Sequence, residues 1–250
     1  MMSISSFSEW VCFAATLVFV LLSHEVGFRF GTRRRLHVPG VLAPESADSL
    51  AAALEAFDGW KVSVSAGGEF FELPLKGRVA AEPGKQGWID AARVDGAEPR
   101  MQYIFDTRRL DLEPEDAQPD AVSAVPDFLN GPEFLAFVRG VTGDDRIDFV
   151  DAQATRYRPG QVLTGHDDAA EGKNRLYAYV LNLTRDWRAD WGGVLAFEGA
   201  DGHIEAGFVP AFNALNLFAV PMRHAVTQVA SFAPRDRLSI TGWLRSHQAV

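Results

Sequence analysis

At 250 residues, 47% hydrophobic and 23% charged, the chain has an ordinary globular composition and enough length for one large β domain or two small domains. Its 24 basic residues against 33 acidic ones give a net charge of −9, and no Lys/Arg cluster flanks its conspicuous motifs, which argues against a nucleic-acid partner. Cys12 is the only cysteine, which excludes a disulfide framework and a thiolate zinc site and fits a reducing compartment.

Residues 1–35 differ in kind from the rest. Residues 10–22 read WVCFAATLVFVLL, and a basic end follows at Arg33, Arg34 and Arg35. Residues 7–30 are long enough to span a bilayer, at the cost of burying His24, Glu25 and Arg29. A secretory signal would carry its positive charge before the apolar run, so secretion is not expected. Two readings remain open: an anchor that leaves the folded domain on the cytoplasmic face of a membrane, or a helix packed on a cytoplasmic body. The globular domain is expected over residues 36–250.

In chain order, Pro44 and Ser46 precede a helix whose Leu50, Leu54 and Phe57 fall at helical spacing, closed by Gly59. Short strands are expected at 60–64 and 70–75 around Ala66-Gly67-Gly68, and another at 101–105. Residues 110–126 carry three prolines and the acids Asp111, Glu113, Glu115, Asp116 and Asp120. They read as a solvated loop or as a lid. A helix from about Pro132 presents Phe134, Leu135, Phe137 and Val138 on one side and ends near Gly140.

From Ile147 onward the pattern is β. Strand-like runs at 149–157, 161–164, 176–183, 194–197, 203–208, 216–220, 225–229 and 238–244 alternate with turn residues, which predicts a mainly β (α+β) sandwich or jelly roll braced by the preceding helices. The core motif spans 149–246. Within it His166 and Asp168 stand two apart, His224 follows 58 positions later, and Arg237 lies 13 beyond that. Two imidazoles and one carboxylate are a ligand set that holds Fe(II) on one face and leaves positions open. Arg237, Ser239, Thr241 and Trp243 alternate, so a strand puts them on one face with Leu238 and Ile240 on the other. A buried arginine is costly unless an anion meets it. Arg235, in a turn, is the weaker candidate for that role.

The ordered elements RYxPG, HDD, RLYAYVLNLTxxW, GGVLAF, HxV and RLSITGWLR resemble the prolyl-hydroxylase-like branch of the 2-oxoglutarate- and Fe(II)-dependent dioxygenases, whose fold is a double-stranded β-helix. The nearest sub-pattern is that of ribosomal-protein and translation-associated prolyl hydroxylases, in which a second aspartate, here Asp167, sits between the ligands. The resemblance implies His166, Asp168 and His224 as metal ligands, and Arg237, Tyr157 and Ser239 as cosubstrate-binding residues. Fe(II) and 2-oxoglutarate are the implied cofactors, with ascorbate as a further candidate, and a protein or peptide is the implied substrate. Asp168 argues against a halogenating variant, which needs that carboxylate absent. Gly192-Gly193 reads as a hairpin turn, Arg175 as a residue near the mouth or on the surface, and Trp187 and Trp191 as packing or as a shield. Two other functions stay open at this point: a small-molecule hydroxylase acting on an amino acid or lipid, and a non-catalytic metal-binding jelly roll.

Overall fold

The computed structural model describes residues 30–31, 33–66, 69–75, 101–111 and 120–247, and they are built around one antiparallel sheet with three helices on its outer face. The apolar segment 7–30, apart from Phe30, lies outside the described residues, as do residues 112–119 of the acidic segment. Among the described residues no helix is long and apolar enough to cross a membrane.

The strands are β1 (Arg35–Pro39), β2 (Lys61–Ala66), β3 (Glu69–Pro74), β4 (Tyr103–Arg109), β5 (Phe149–Val150), β6 (Gln153–Tyr157), β7 (Val162–His166), β8 (Arg175–Asn182), β9 (Leu195–Glu198), β10 (Ile204–Phe208), β11 (Ala214–Ala219), β12 (His224–Val226) and β13 (Arg237–Arg245). Their order is β1-β11-β8-β13-β6-β4-β7-β12-β9-β10, with β2 on β4, β3 on β2 and β5 on β13. The larger layer, β1-β11-β8-β13-β6, faces the smaller layer, β7-β12-β9-β10. Strand β4 joins them: Asp106 to Arg109 pair with β6, while Tyr103 and Ile104 pair with β7. The end strands β1 and β10 meet through side chains, Arg35 with Glu205 at 3.1 Å and His37 against Phe208 at 5.5 Å between ring centroids. The result is a nearly closed jelly roll, in keeping with the expected double-stranded β-helix.

Strand β8 is apolar almost throughout because it is covered on both sides. Tyr177, Tyr179 and Leu181 join the outer core with Leu215, Leu217, Leu238, Ile240 and Leu244, whereas Ala178 and Val180 face inward with Leu195, Phe197 and Phe218. The helices α1 (Pro44–Ala56), α2 (Val125–Leu129) and α3 (Pro132–Thr142) cover the outer face. In α1, Pro44 sits in the first turn, where its missing N–H costs nothing, and Ala47, Leu50, Ala51 and Leu54 form the buried stripe. Each large aliphatic buried this way contributes about 1.5–3 kcal/mol relative to exposure.

The helix from Pro132 ends close to Gly140, as expected, where the left-handed Gly143 (φ 68°) terminates it, its N–H donating to the Arg139 carbonyl. Two expectations need correction. The single run 149–157 is two strands, interrupted at Asp151 and Ala152, because Asp151 is bound to Trp243 of β13 instead of continuing the ladder. Asp120 is not a solvated loop acid. Its carboxylate accepts from Arg108 at 2.7 Å and from the amides of Val122 and Ser123, fixing the turn into α2.

Candidate active site

Strand β7 ends on His166 and β12 opens on His224, and these two residues are directly opposite in the antiparallel register. Their ring centroids are 4.1 Å apart. Asp168 completes the group, its carboxylate oxygens 3.4 Å from His166 Nε2 and 3.5 Å from His224 Nε2. All three ligand atoms lie within 4.8 Å of one another. Strand alternation alone would bring His166 and Asp168 to one side. The strand in fact stops at His166, and a left-handed backbone at Asp168 (φ 63°) turns the carboxylate back onto the imidazoles. Asp167 is exposed and points elsewhere, its carboxylate accepting the Ala169 amide at 3.0 Å.

Each imidazole is held by its other nitrogen. His166 Nδ1 lies 2.9 Å from the Thr164 carbonyl, and His224 Nδ1 lies 2.7 Å from that of Met222. A carbonyl can only accept, so Nδ1 carries the hydrogen and the Nε2 lone pair faces the shared centre. Burial, together with the neighbouring His166, brings the His224 pKa down to about 4, so this imidazole is neutral and ready to ligate near neutral pH. Burial pushes the Asp168 carboxyl up, the His166 and His224 side chains beside it bring it down, and the balance lies below the usual carboxylate range.

Across the cavity, Arg237 is 1% exposed. No carboxylate among the described residues pairs with it. Nη1 donates to Ser239 Oγ at 3.3 Å, Nε has no partner, and the guanidinium lies 5.2 Å from the Tyr157 ring centroid. Burial pushes its pKa down, opposed only by Tyr157. Ser239 Oγ in turn shares a 2.8 Å hydrogen bond with Thr155 Oγ1. A buried guanidinium with an orphaned N–H fits a carboxylate that comes from outside the chain. Arg235 plays no such part: it is exposed and donates to the Arg185 carbonyl.

The predicted alternation on β13 holds. Arg237, Thr241 and Trp243 line a cavity of about 560 Å³ that also contains His166, Asp168, His224 and Tyr157, while Leu238, Ile240 and Leu244 enter the outer core. Gly192-Gly193 is more than a hairpin turn. Both have positive φ, and a Cβ on Gly193 would lie 2.9 Å from Arg237 Cδ. Trp187 donates its indole N–H to the Gly192 carbonyl and meets Trp191 edge-on, so the pair packs behind this turn and does not line the cavity.

Several participants carry no signal in the sequence. Thr155, Tyr103, Phe105 and Asp151 all line the cavity; of the two positions the sequence left open for Arg175, the one beside the cavity is observed. Only the placement of Thr155 and Tyr157 at alternate positions of one strand hints at any of these. Asp106, also unforeseen, is fully buried at the β4–β6 junction and accepts from Arg156, Arg158 and Gln161 at 2.7–3.0 Å. The RYR triplet thus turns Arg156 and Arg158 to one side to grip Asp106 and Tyr157 to the other, toward Arg237.

Residues 152–245 match the sequence pattern of the 2OG-Fe(II) oxygenase superfamily. Over 118 residues the chain is 34% identical to prolyl 3-hydroxylase OGFOD1 of Mus musculus, a stretch that covers 44% of this chain and 21% of that protein. The chain therefore spans only about a fifth of the length of this curated relative. In fold it is similar to a prolyl hydroxylase from Trichoplax adhaerens solved with a hypoxia-inducible-factor peptide fragment, at a TM-score of 0.61 and 15% identity over 92% of this chain and 91% of that one. A prolyl 4-hydroxylase from Pseudomonas putida gives a TM-score of 0.57 and 19% identity over 90% of this chain and 100% of that one. Residues 152–245 thus carry the pattern of the 2OG-Fe(II) oxygenase superfamily, on a barrel similar in fold to solved prolyl hydroxylases.

Proposed function

We propose that the chain is an Fe(II)- and 2-oxoglutarate-dependent dioxygenase that hydroxylates a prolyl residue of a protein substrate. The observation that carries this reading is the pairing, across one cavity, of the His166/Asp168/His224 group with a buried arginine that meets no carboxylate among the described residues. His166, Asp168 and His224 would hold the iron, and Arg237 with Ser239 and Tyr157 would hold the far carboxylate of 2-oxoglutarate. Iron and 2-oxoglutarate, when bound there, would supply the chemistry of oxidative decarboxylation, in which one atom of O2 would end in the substrate as a hydroxyl group and the other in succinate, with release of CO2.

The protein's own share is positional. The backbone carbonyls of Thr164 and Met222 keep both Nε2 lone pairs aimed at one point. Asp168 stays ionised despite its burial, which supplies negative charge to a divalent cation. Phe105, Leu163, Leu195, Phe218 and Val226 give the cavity an apolar lining. A protein substrate is favoured by the curated relative, a prolyl 3-hydroxylase. Stimulation by ascorbate belongs to the same proposal.

The test is anaerobic titration of the full chain with Fe(II) and 2-oxoglutarate, following the visible charge-transfer band of the chelate. The band should appear in the wild type, vanish in His224→Ala, and require more 2-oxoglutarate in Arg237→Ala. Its absence from well-folded wild type would overturn the reading. The substrate is tested separately: deletion of the gene should remove a one-oxygen mass increment from a proline in some cellular protein, and proteomes that show no such loss would rule out the peptidyl-proline assignment.

A further inference from the structure

Arg175 opens β8 and occupies an unusual position for a rim arginine. Its guanidinium carbon lies 3.4 Å from the centroid of the Trp243 ring, and Nη1 donates to the backbone carbonyl of Asp168 at 3.1 Å. Trp243 is itself held from behind. Its amide donates to Asp151 Oδ1 at 2.7 Å, and Gly242 lets Asp151 press so close that a Cβ there would come within 2.0 Å of the Asp151 carbonyl oxygen. Asp151 is also fixed by Tyr179, whose hydroxyl donates to that carbonyl at 2.9 Å. A rigid shelf therefore carries Arg175, and Arg175 reaches from it to the one peptide group whose conformation aims the Asp168 carboxylate.

That peptide group needs holding. Asp168 has φ 63°, a region that costs an L residue free energy, and it lies beyond the last hydrogen-bonded residue of β7. If its backbone relaxed to the extended region, the carboxylate would swing away from His166 and His224. We propose that Arg175 is a positioning residue for the metal site: by holding the Asp168 carbonyl it keeps the left-handed turn and so sets the affinity for a divalent cation. This inference rests on the metal-site reading above and adds a residue to it that is not a ligand.

The experiment measures Mn(II) binding to the full chain, without 2-oxoglutarate or turnover, by electron paramagnetic resonance, with thermal unfolding of each variant recorded alongside. Arg175→Met keeps a stem of similar bulk over Trp243 but has no donor, and Arg175→Lys keeps one donor with comparable reach. The methionine variant should bind Mn(II) about 10–100-fold more weakly, in line with loss of a supporting group around a metal site. The lysine variant should recover most of that loss. Methionine and wild-type proteins that bind equally well, or methionine and lysine variants that are equally weakened, would overturn the proposal. Should the methionine variant fail to fold, Arg175→Leu takes its place: weakened Mn(II) binding supports the proposal and unchanged binding overturns it. A wild type that binds no Mn(II) would sink the metal-site reading, and this inference with it.

Discussion

The Arg237 guanidinium lies 5.2 Å from the ring centroid of Tyr157, buried to 1% exposure, and no carboxylate among the described residues meets its charge. Folding without a ligand therefore leaves a desolvated cation only partly compensated, and such sites trade stability for binding. Two opposite effects are expected from Arg237→Met. Affinity for 2-oxoglutarate should fall about 10–100-fold, as expected for hydrogen bonds between charged groups. The ligand-free protein should be as stable as wild type or more stable. Isothermal titration and thermal unfolding check the two halves, and a variant that loses stability while keeping its affinity would refute the anion-binding role.

Gly193 is the contact through which the turn before β9 touches Arg237. Its φ is 61°, and a Cβ at this position would lie only 2.9 Å from Arg237 Cδ. Gly193→Ala should therefore both strain the turn, by about 1–2 kcal/mol, and displace the guanidinium. Gly160 also has positive φ, 92°, but open space around its Cα. Gly160→Ala should lose comparable stability and leave 2-oxoglutarate affinity unchanged. Equal affinities for the two variants would show that the Gly193 contact does not matter to the site.

Asp106 holds the corner where β4 passes from the larger layer to the smaller one, and it does so by accepting from Arg156, Arg158 and Gln161 while fully buried. Removing Asp106 takes the shared acceptor from the partly exposed Arg156 and Arg158 and from the buried Gln161. Asp106→Ala should cost about 1–3 kcal/mol in urea unfolding. A loss within experimental error would mean that Arg156 and Arg158 find water or Asp236 instead.

Asp144 gives a pH signature far from the site. A hydrogen bond from Arg146, outweighing burial, and a further one from the Tyr177 hydroxyl bring its pKa from the ordinary 3.8 down to about 2. Because the folded pKa is the lower one, the contribution is complete above the unfolded pKa and is lost as pH falls through the folded value. The stability difference between wild type and Asp144→Asn should be constant above pH ~5, shrink between pH ~4 and ~2, and level off below that. A difference that does not change with pH would contradict the assignment.

The sequence by itself determined the parts of this protein that depend on local spacing. Alternation from Arg237 to Trp243 settles which face of β13 meets the cavity, the Leu50 and Leu54 stripe marks the face of α1, and the ordered His166, Asp168 and His224 pick out three side chains that converge. What only the tertiary structure decided are the relations between residues far apart in the chain: His224 opposite His166, β1 beside β11, Asp106 beneath Arg156 and Arg158, and Arg175 stacked on Trp243 while it holds the Asp168 carbonyl. Register between distant strands is chosen by the packing of whole faces, so no short window contains it. The left-handed turn at Asp168 is equally hidden, since an aspartate reaches that conformation only where its surroundings hold it there.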